Sequence, residues 1–440
     1  MSKLGSLLSS MLTQRSLTIL SVATFIFAFH ISYKCIISPN YAHQGFSYAN
    51  PNTGTLFIIA ILATLPAVIL PMSFTKPSTF VLWMLYLMVY VPAQLIMIYT
   101  DNVFSLQQGP FQLALAGAMF FLSFVPHLPR LPLLRARLSP RVFWMFVTMY
   151  MAIAYLLLIK TFGFKGIVTN LTAVYDVRLE ARDVLASAGR WIGYQLRWLA
   201  EAVNPLLITA GLFERSRPLF LIGILGQIII FSFDATKSTL GSILLVIGIY
   251  YLANRFARVH AYKFVLSLVA ILSMTAIYDY LIKAPVLTGL LTRRIFAVPG
   301  LLTTMYFEYF STHPFFYWTH TIYGKVLGYS SLYPEYSGPG FLIGATYFHN
   351  SAGNANANLW ADGYANAGYV GIAISTTILF FILWLYDSVS RGKDNRFVLP
   401  LIAMPAFAIT NTSMLTSLLS HGWIVAILLV WLYPYRKVKI

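Results

Sequence analysis

The chain has 440 residues, of which 58% are hydrophobic, 16% aromatic and only 10% charged. That balance excludes a soluble domain with a polar shell and indicates an integral membrane protein built of apolar spans. The formal net charge of +17 comes from basic residues that punctuate apolar runs, a pattern of topology signals plus an anionic ligand rather than a nucleic-acid surface.

A spanning helix takes roughly 20 apolar residues. In chain order, runs of this kind are predicted at 16–33, 55–75, 79–100, 110–126, 142–159, 218–233, 239–253, 264–278, 367–386 and 398–434. The first follows Lys3 and Arg15 as a signal peptide would. No small-residue cleavage pattern comes after it, so it is taken as a transmembrane helix. A less apolar span at 191–213 and a hairpin within 398–434, turning near Thr410–Thr416, complete about twelve helices. With both termini cytoplasmic, the inside loops all carry positive charge: Lys76, Arg130/Arg135/Arg137/Arg141, Arg215/Arg217, Arg255/Arg258/Lys263, Arg391/Lys393/Arg396 and Arg436/Lys437/Lys439. The expected fold is an all-α polytopic membrane bundle. It divides into an N-terminal bundle over 1–281, a large outside loop over 282–365 with short interfacial helices, and C-terminal spans over 366–440.

Two outside regions break the charge rule. The segment 160–197 carries Lys160, Lys165, Arg178, Arg182, Arg190 and Arg197, and the loop carries Lys283, Arg293, Arg294 and Lys325. Arg178 and Arg182 are four apart and so share a helix face. Two guanidiniums there suit a diphosphate, with Asp176, Glu180 and Asp183 as rival ion-pair partners. Lys237 interrupts two apolar spans and is either a further contact to that anion or the partner of Asp234. Lys237, Arg293 and Arg294 thus join Arg178 and Arg182 as candidate diphosphate ligands.

Candidate acids and bases are Glu308, His313, His349 and Asp362, with His320 and His421 as further histidines. Between His349 and Gly371, Asn356, Asn358 and Asn366 offer amides suited to hydroxyl-rich ligands, with Trp360 and Tyr364 between them. The alternative is a polar turn leading into a helix. Cys35 is the only cysteine, so no intramolecular disulfide can form, and no HExxH motif appears; no metal or cofactor is expected.

The stretch NLWADGYANAGYVGIAIS resembles the Tyr-Ala-Asn-x-Gly-Tyr-x-Gly pattern that opens a late transmembrane helix in the oligosaccharide repeat-unit polymerases of bacterial surface polysaccharides, the Wzy type. The sharp motif covers about 354–375. The twelve-span hydropathy, the basic mid-chain segment, the large loop and TSLLSHGW near the end extend the likeness, with a departure at Lys237, where the family pattern would place an arginine. The resemblance implies an inner-membrane glycosyltransferase whose periplasmic face joins undecaprenyl-diphosphate-linked oligosaccharides. It further implies arginines matching the diphosphate charge, a base for the acceptor hydroxyl, and glycan contacts from Asn356, Asn358, Trp360, Tyr364, Asn366 and His421. A chain-length-regulating membrane protein is a candidate partner. Rival expectations are an O-antigen ligase acting on lipid A-core and a flippase for a lipid-linked sugar.

Overall fold

Apolar runs bounded by Pro, Ser, Asn and Asp become helices because those residues supply the first-turn geometry that an apolar run lacks. Asn52 accepts from the Thr55 amide and Ser139 from the Val142 amide, and Asp394 caps the helix that follows it. The structure, a computed structural model, describes residues 2–101, 108–134, 138–163, 174–256, 260–321, 324, 326 and 328–434, without the side chains of 2–11, 174–176, 179 and 254–256. Arg135, Arg137, Lys165, Arg258, Lys325, Arg436, Lys437 and Lys439, and the side chains of Lys3, Asp176 and Arg255, therefore lie outside the described residues.

Among the described residues the chain is a bundle of helices without a β-strand. Eight helices are long and apolar enough to cross a membrane: Leu12–Gln44, Pro77–Asp101, Gln108–His127, Pro140–Phe162, Arg217–Asp234, Ala261–Ile282, Leu359–Val389 and Met414–Leu432. Three shorter apolar helices, Thr53–Ile69, Lys237–Ala253 and Asn395–Ala408, join them. The less apolar segment at 190–213 is a continuous helix whose middle, Leu199–Val203, widens to π geometry. This is a multi-pass membrane protein.

The helix over 77–101 lies at the centre. Every residue from Pro77 to Tyr99 is buried, as expected for a helix that is hydrophobic on all faces. Gln94, a buried polar residue within it, exchanges side-chain amide hydrogen bonds with Gln112 of the neighbouring span, each Nε2 donating to the other's backbone carbonyl at 3.0 and 3.1 Å. Such interhelical bonds are worth about 1 kcal/mol in a membrane.

Tertiary contacts sort the helix ends into two groups. At one end Lys76 reaches the Leu128 carbonyl, Ser78 bonds Asp387, the Ala261 amide bonds Met72, and Asn395 bonds Phe74. At the other, Tyr41 bonds the Pro285 carbonyl, Phe162 stacks on Phe233, and Arg197 faces Asp234. The basic loops at Lys76, Arg215/Arg217 and Arg391–Arg396 thus belong to the first end, and the helices bearing Arg178 to Arg197 to the second.

The loop at 282–365 departs from the expectation of surface helices. Thr288–Ala297 and Val298–Phe310 run on as one helix, and the second half is buried against the central helix, with Gly300 lying on Pro92, and against the following span, with Phe307 on Phe111 at 4.4 Å between ring centroids. Residues 295–307 carry no charge and include Gly300, Thr303 and Thr304. A small-and-aromatic composition that favours the membrane interface also permits close helix packing, and here packing prevails.

The late span is broken rather than straight. Ala367 (φ −156°, ψ 30°) and Gly368 (φ 59°, ψ −138°) leave helical geometry, and the chain bends so sharply that a Cβ on Gly371 would collide with the carbonyl of Gly363. The carbonyls freed by the break are taken by the loop: Phe316 N–H donates to Ala365 at 2.9 Å and Tyr317 N–H to Asn366 at 3.0 Å. The Tyr-Ala-Asn-x-Gly motif is, in this fold, a joint.

Candidate functional site

A cavity of about 430 Å³ opens at the second end, lined by Arg190, Tyr194, Arg197, His320, Thr416 and His421 among others. One wall is the helix Arg190–Trp198. Arg190, Gly193, Tyr194 and Arg197 fall at i, i+3, i+4 and i+7, a single stripe, and all four line the cavity. Leu196, itself buried, also lines the cavity, and Ile192 packs on the core. Trp198 fixes the helix to the other wall by donating from Nε1 to the Leu419 carbonyl at 2.6 Å. Tyr194 stacks on Trp198 with the rings 11° from parallel.

Beneath the cavity lies a buried charge cluster. Glu201, in the π-helical turn, is 6% exposed and Asp234 is 4% exposed. Arg197 sits between them, 3.8 Å from Glu201 and 3.7 Å from Asp234. His421 Nδ1 lies 2.9 Å from both carboxylate oxygens of Glu201. Asp234 also accepts from the Thr236 amide and hydroxyl, and Lys237 stands exposed at the start of its helix. The local pairing considered for Lys237 and Asp234 is replaced by Arg197 and Asp234. Arg190 has neither an ion pair nor a hydrogen bond among the described residues.

The basic surface continues along the helix Val174–Ala188. Arg178, Arg182 and Leu185 lie at i, i+4 and i+7, and Leu185 reaches the cavity. Arg182 lies 5.7 Å over the Phe341 ring. Arg178 comes close enough to Arg294 that burial, then Arg293, then Arg178 together push the Arg294 guanidinium below its ordinary value. Arg293 is itself placed over Tyr41 and donates to Gln44 at 2.8 Å. Val177 packs with Phe231, Ala235 and Leu240, so this helix leans on the turn that bears Lys237. The five expected diphosphate ligands therefore share one end of the bundle, with Arg178, Arg293 and Arg294 in a common field and Arg182 beside the cavity.

His320, also on the cavity, is pushed down by burial to about 4. Its Nδ1 is buried without a hydrogen-bond partner among the described residues, and the ring is neutral near pH 7.

The structure does not bring the four expected acids and bases together. Glu308 ends the helix Val298–Phe310, where desolvation, then Asp101, raise its carboxyl above the usual range and Tyr347 partly offsets them. His313 is stacked on Tyr309, with Nδ1 2.9 Å from that residue's carbonyl. His349 caps a helix with a left-handed φ of 51° and is exposed. Asp362 bonds Asn366 Nδ2 at 3.3 Å. None of them lines the cavity.

Four of the expected glycan contacts, Asn358, Trp360, Tyr364 and Asn366, are buried in this structure. Asn358, Trp360 and Asn366 are all 0% exposed. Asn358 caps its helix and donates to Thr303 Oγ1 at 2.6 Å. Trp360 Nε1 donates to Thr376, and Asn366 Oδ1 accepts from the Trp318 amide at 2.8 Å. Their polar atoms are used within the protein, so no sugar hydroxyl can reach them in this arrangement. Tyr364 is 4% exposed among Phe111, Phe307 and Phe315, which removes it as a stacking platform. Asn356 remains exposed and His421 lies in the cavity.

The residue that sequence reasoning passed over is Glu201. Its signal was present: an acid within the apolar run WLAEAVNPLLITAGLF, where a charge is costly unless it has a partner. Among the described residues no group of three His, Cys, Asp or Glu side chains is placed to hold a metal ion. No protein-family model matches the chain, and neither the curated proteins nor the solved structures contain a match to it.

Proposed function

We propose that the chain is a membrane glycosyltransferase that extends a lipid-diphosphate-linked oligosaccharide, with its active site at the periplasmic face of a bacterial inner membrane. The observation that carries this reading is the track of arginines, Arg178, Arg182, Arg190 and Arg197, leading into a cavity lined by Tyr194, His320 and His421 at the bundle end opposite the basic loops. With the basic loops and both termini assigned to the cytoplasm, the cavity faces outward.

The chemistry needed there is modest. An acceptor hydroxyl attacks the donor's anomeric carbon, and the bond from that carbon to the diphosphate breaks with its electron pair leaving on the phosphate oxygen. The Arg190 guanidinium, which has no ion pair among the described residues, can meet the departing charge and stabilise that step. The Tyr194 ring beside Gly193, where a Cβ would meet no atom within 4 Å, offers a face and room for a sugar. A flippase would instead place polar groups along a central path, whereas the centre of this bundle is the buried, apolar helix 77–101.

The test uses purified protein with undecaprenyl-diphosphate-linked oligosaccharide extracted from source cells in which the chain's own gene is deleted. A ladder of longer lipid-linked glycans is expected. Transfer only to lipid A-core would reassign the protein as a ligase, and movement across vesicles without new bonds would reassign it as a transporter.

A further inference from the structure

The search for a base led away from the outer loop and into the cavity. His421 is the one cavity-lining histidine with a carboxylate partner among the described residues. A carboxylate only accepts hydrogen bonds, so His421 Nδ1, 2.9 Å from both oxygens of Glu201, carries the proton. The neutral ring then keeps its lone pair on Nε2.

The fold holds this pair from both sides. Glu201 lies in the π-helical turn Leu199–Val203, a geometry concentrated at functional sites. His421 is followed by Gly422 in left-handed conformation (φ 75°), where a Cβ would lie 3.3 Å from that of Ala202. A side chain at 422 would therefore push the histidine's turn away from Glu201. The charge on Glu201 is balanced by Arg197 at 3.8 Å, and Arg197 also faces Asp234. This is an acid, a histidine and two hydrogen-bonded carboxylate oxygens at the edge of a basic cavity, the arrangement by which a carboxylate selects one tautomer and orients a ring for proton transfer.

We propose that His421 is the general base of the glycosyl transfer and that Glu201 is its positioning residue; this rests on the glycosyltransferase function proposed above. The acceptor sugar's O–H gives its proton to Nε2 as the oxygen bonds to the donor's anomeric carbon. The bond to the diphosphate breaks, and its electron pair stays with the leaving group. The imidazolium returns its proton to water or to the released diphosphate. The groups facing His421 from the surrounding elements are Glu201, Arg197 and Arg190 on the helix 190–213, Asp234 on the next span, and neutral His320 on the loop.

The experiment compares wild type, His421→Gln, His421→Ala, Glu201→Gln and Glu201→Asp in full-length protein, with the same extracted lipid-linked oligosaccharide as probe. Monodisperse elution in detergent is the check of folding. The His421 variants should lose kcat by on the order of 10²–10⁴-fold with KM within about threefold. Glu201→Gln can donate to Nδ1 and so move the ring proton to Nε2. It should lose kcat as heavily, while Glu201→Asp recovers part of it. The acid limb of the wild-type kcat profile should be absent from the residual activity of His421→Gln. A ladder from wild type together with kcat within threefold in a folded His421 variant would overturn the base assignment and leave the function standing. A KM effect alone would do the same. Absence of any ladder from wild type would overturn the function, and the base with it.

Discussion

The stretch from Asn354 to Gly371 and the helix from Arg190 to Trp198 make an instructive pair. The first is dense in Asn, Tyr, Trp and Gly and draws the eye in the sequence; in the fold Asn358, Trp360 and Asn366 are fully buried and the glycines form a joint. The second reads as a poor transmembrane span, and it forms one wall of the cavity. A polar residue next to an apolar helix has two uses, to satisfy the backbone where the helix breaks or to meet a ligand. Only burial distinguishes them. Where the chain bends at Ala367–Gly368, carbonyls lose their helical partners inside apolar surroundings, and leaving them unpaired would cost about 1–3 kcal/mol each. Amides from the loop meet that need. At Arg190–Trp198 the helix keeps its own hydrogen bonds, so its polar stripe is left for something else.

Substitutions in the two regions should therefore fail in opposite ways. The largest effect is expected from Gly371→Ala, whose Cβ would strike the Gly363 carbonyl; little folded protein should survive detergent extraction. Trp360→Ala follows, removing a ring with no exposure at a cost of about 3–5 kcal/mol, read as a fall in melting temperature. Arg190→Ala should sharpen the contrast. It should melt like wild type, because Arg190 is exposed and has no ion pair among the described residues, and yet lose roughly 100-fold in turnover of the lipid-linked probe. If Arg190→Ala melts early with unchanged turnover, the division between a structural joint and a chemical wall collapses.

A smaller effect concerns acid. The His320 ring is held near 4 in the fold against an ordinary value of 6.5, so the unfolded chain binds more protons between those values. Its contribution to stability is complete above about pH 6.5 and is lost as pH falls towards 4. His320→Gln should remove up to about 3 kcal/mol of that acid sensitivity, seen as a flatter dependence of melting temperature on pH. The smallest effect is expected at Asn356, which is exposed: Asn356→Ala should leave stability within about 0.5 kcal/mol and, under the proposed function, the loss of one glycan hydrogen bond would change KM by about fivefold.

Hydropathy and loop charge were sufficient, without coordinates, to establish an all-α multi-pass membrane protein, because the cost of an unpaired backbone in lipid leaves few alternatives for long uncharged runs. The turn within 398–434 and the concentration of arginines between 160 and 197 were legible for the same reason: charge and hydropathy are properties of local sequence. The pairing of Glu201 with His421, 220 residues apart, was not. Nor was the burial of Val298–Phe310 or of Trp360, since an aromatic residue suits a core and an interface equally well. Those outcomes depend on which helices pack against which. That is a matter of shape complementarity across the whole bundle, and only the tertiary structure decides it.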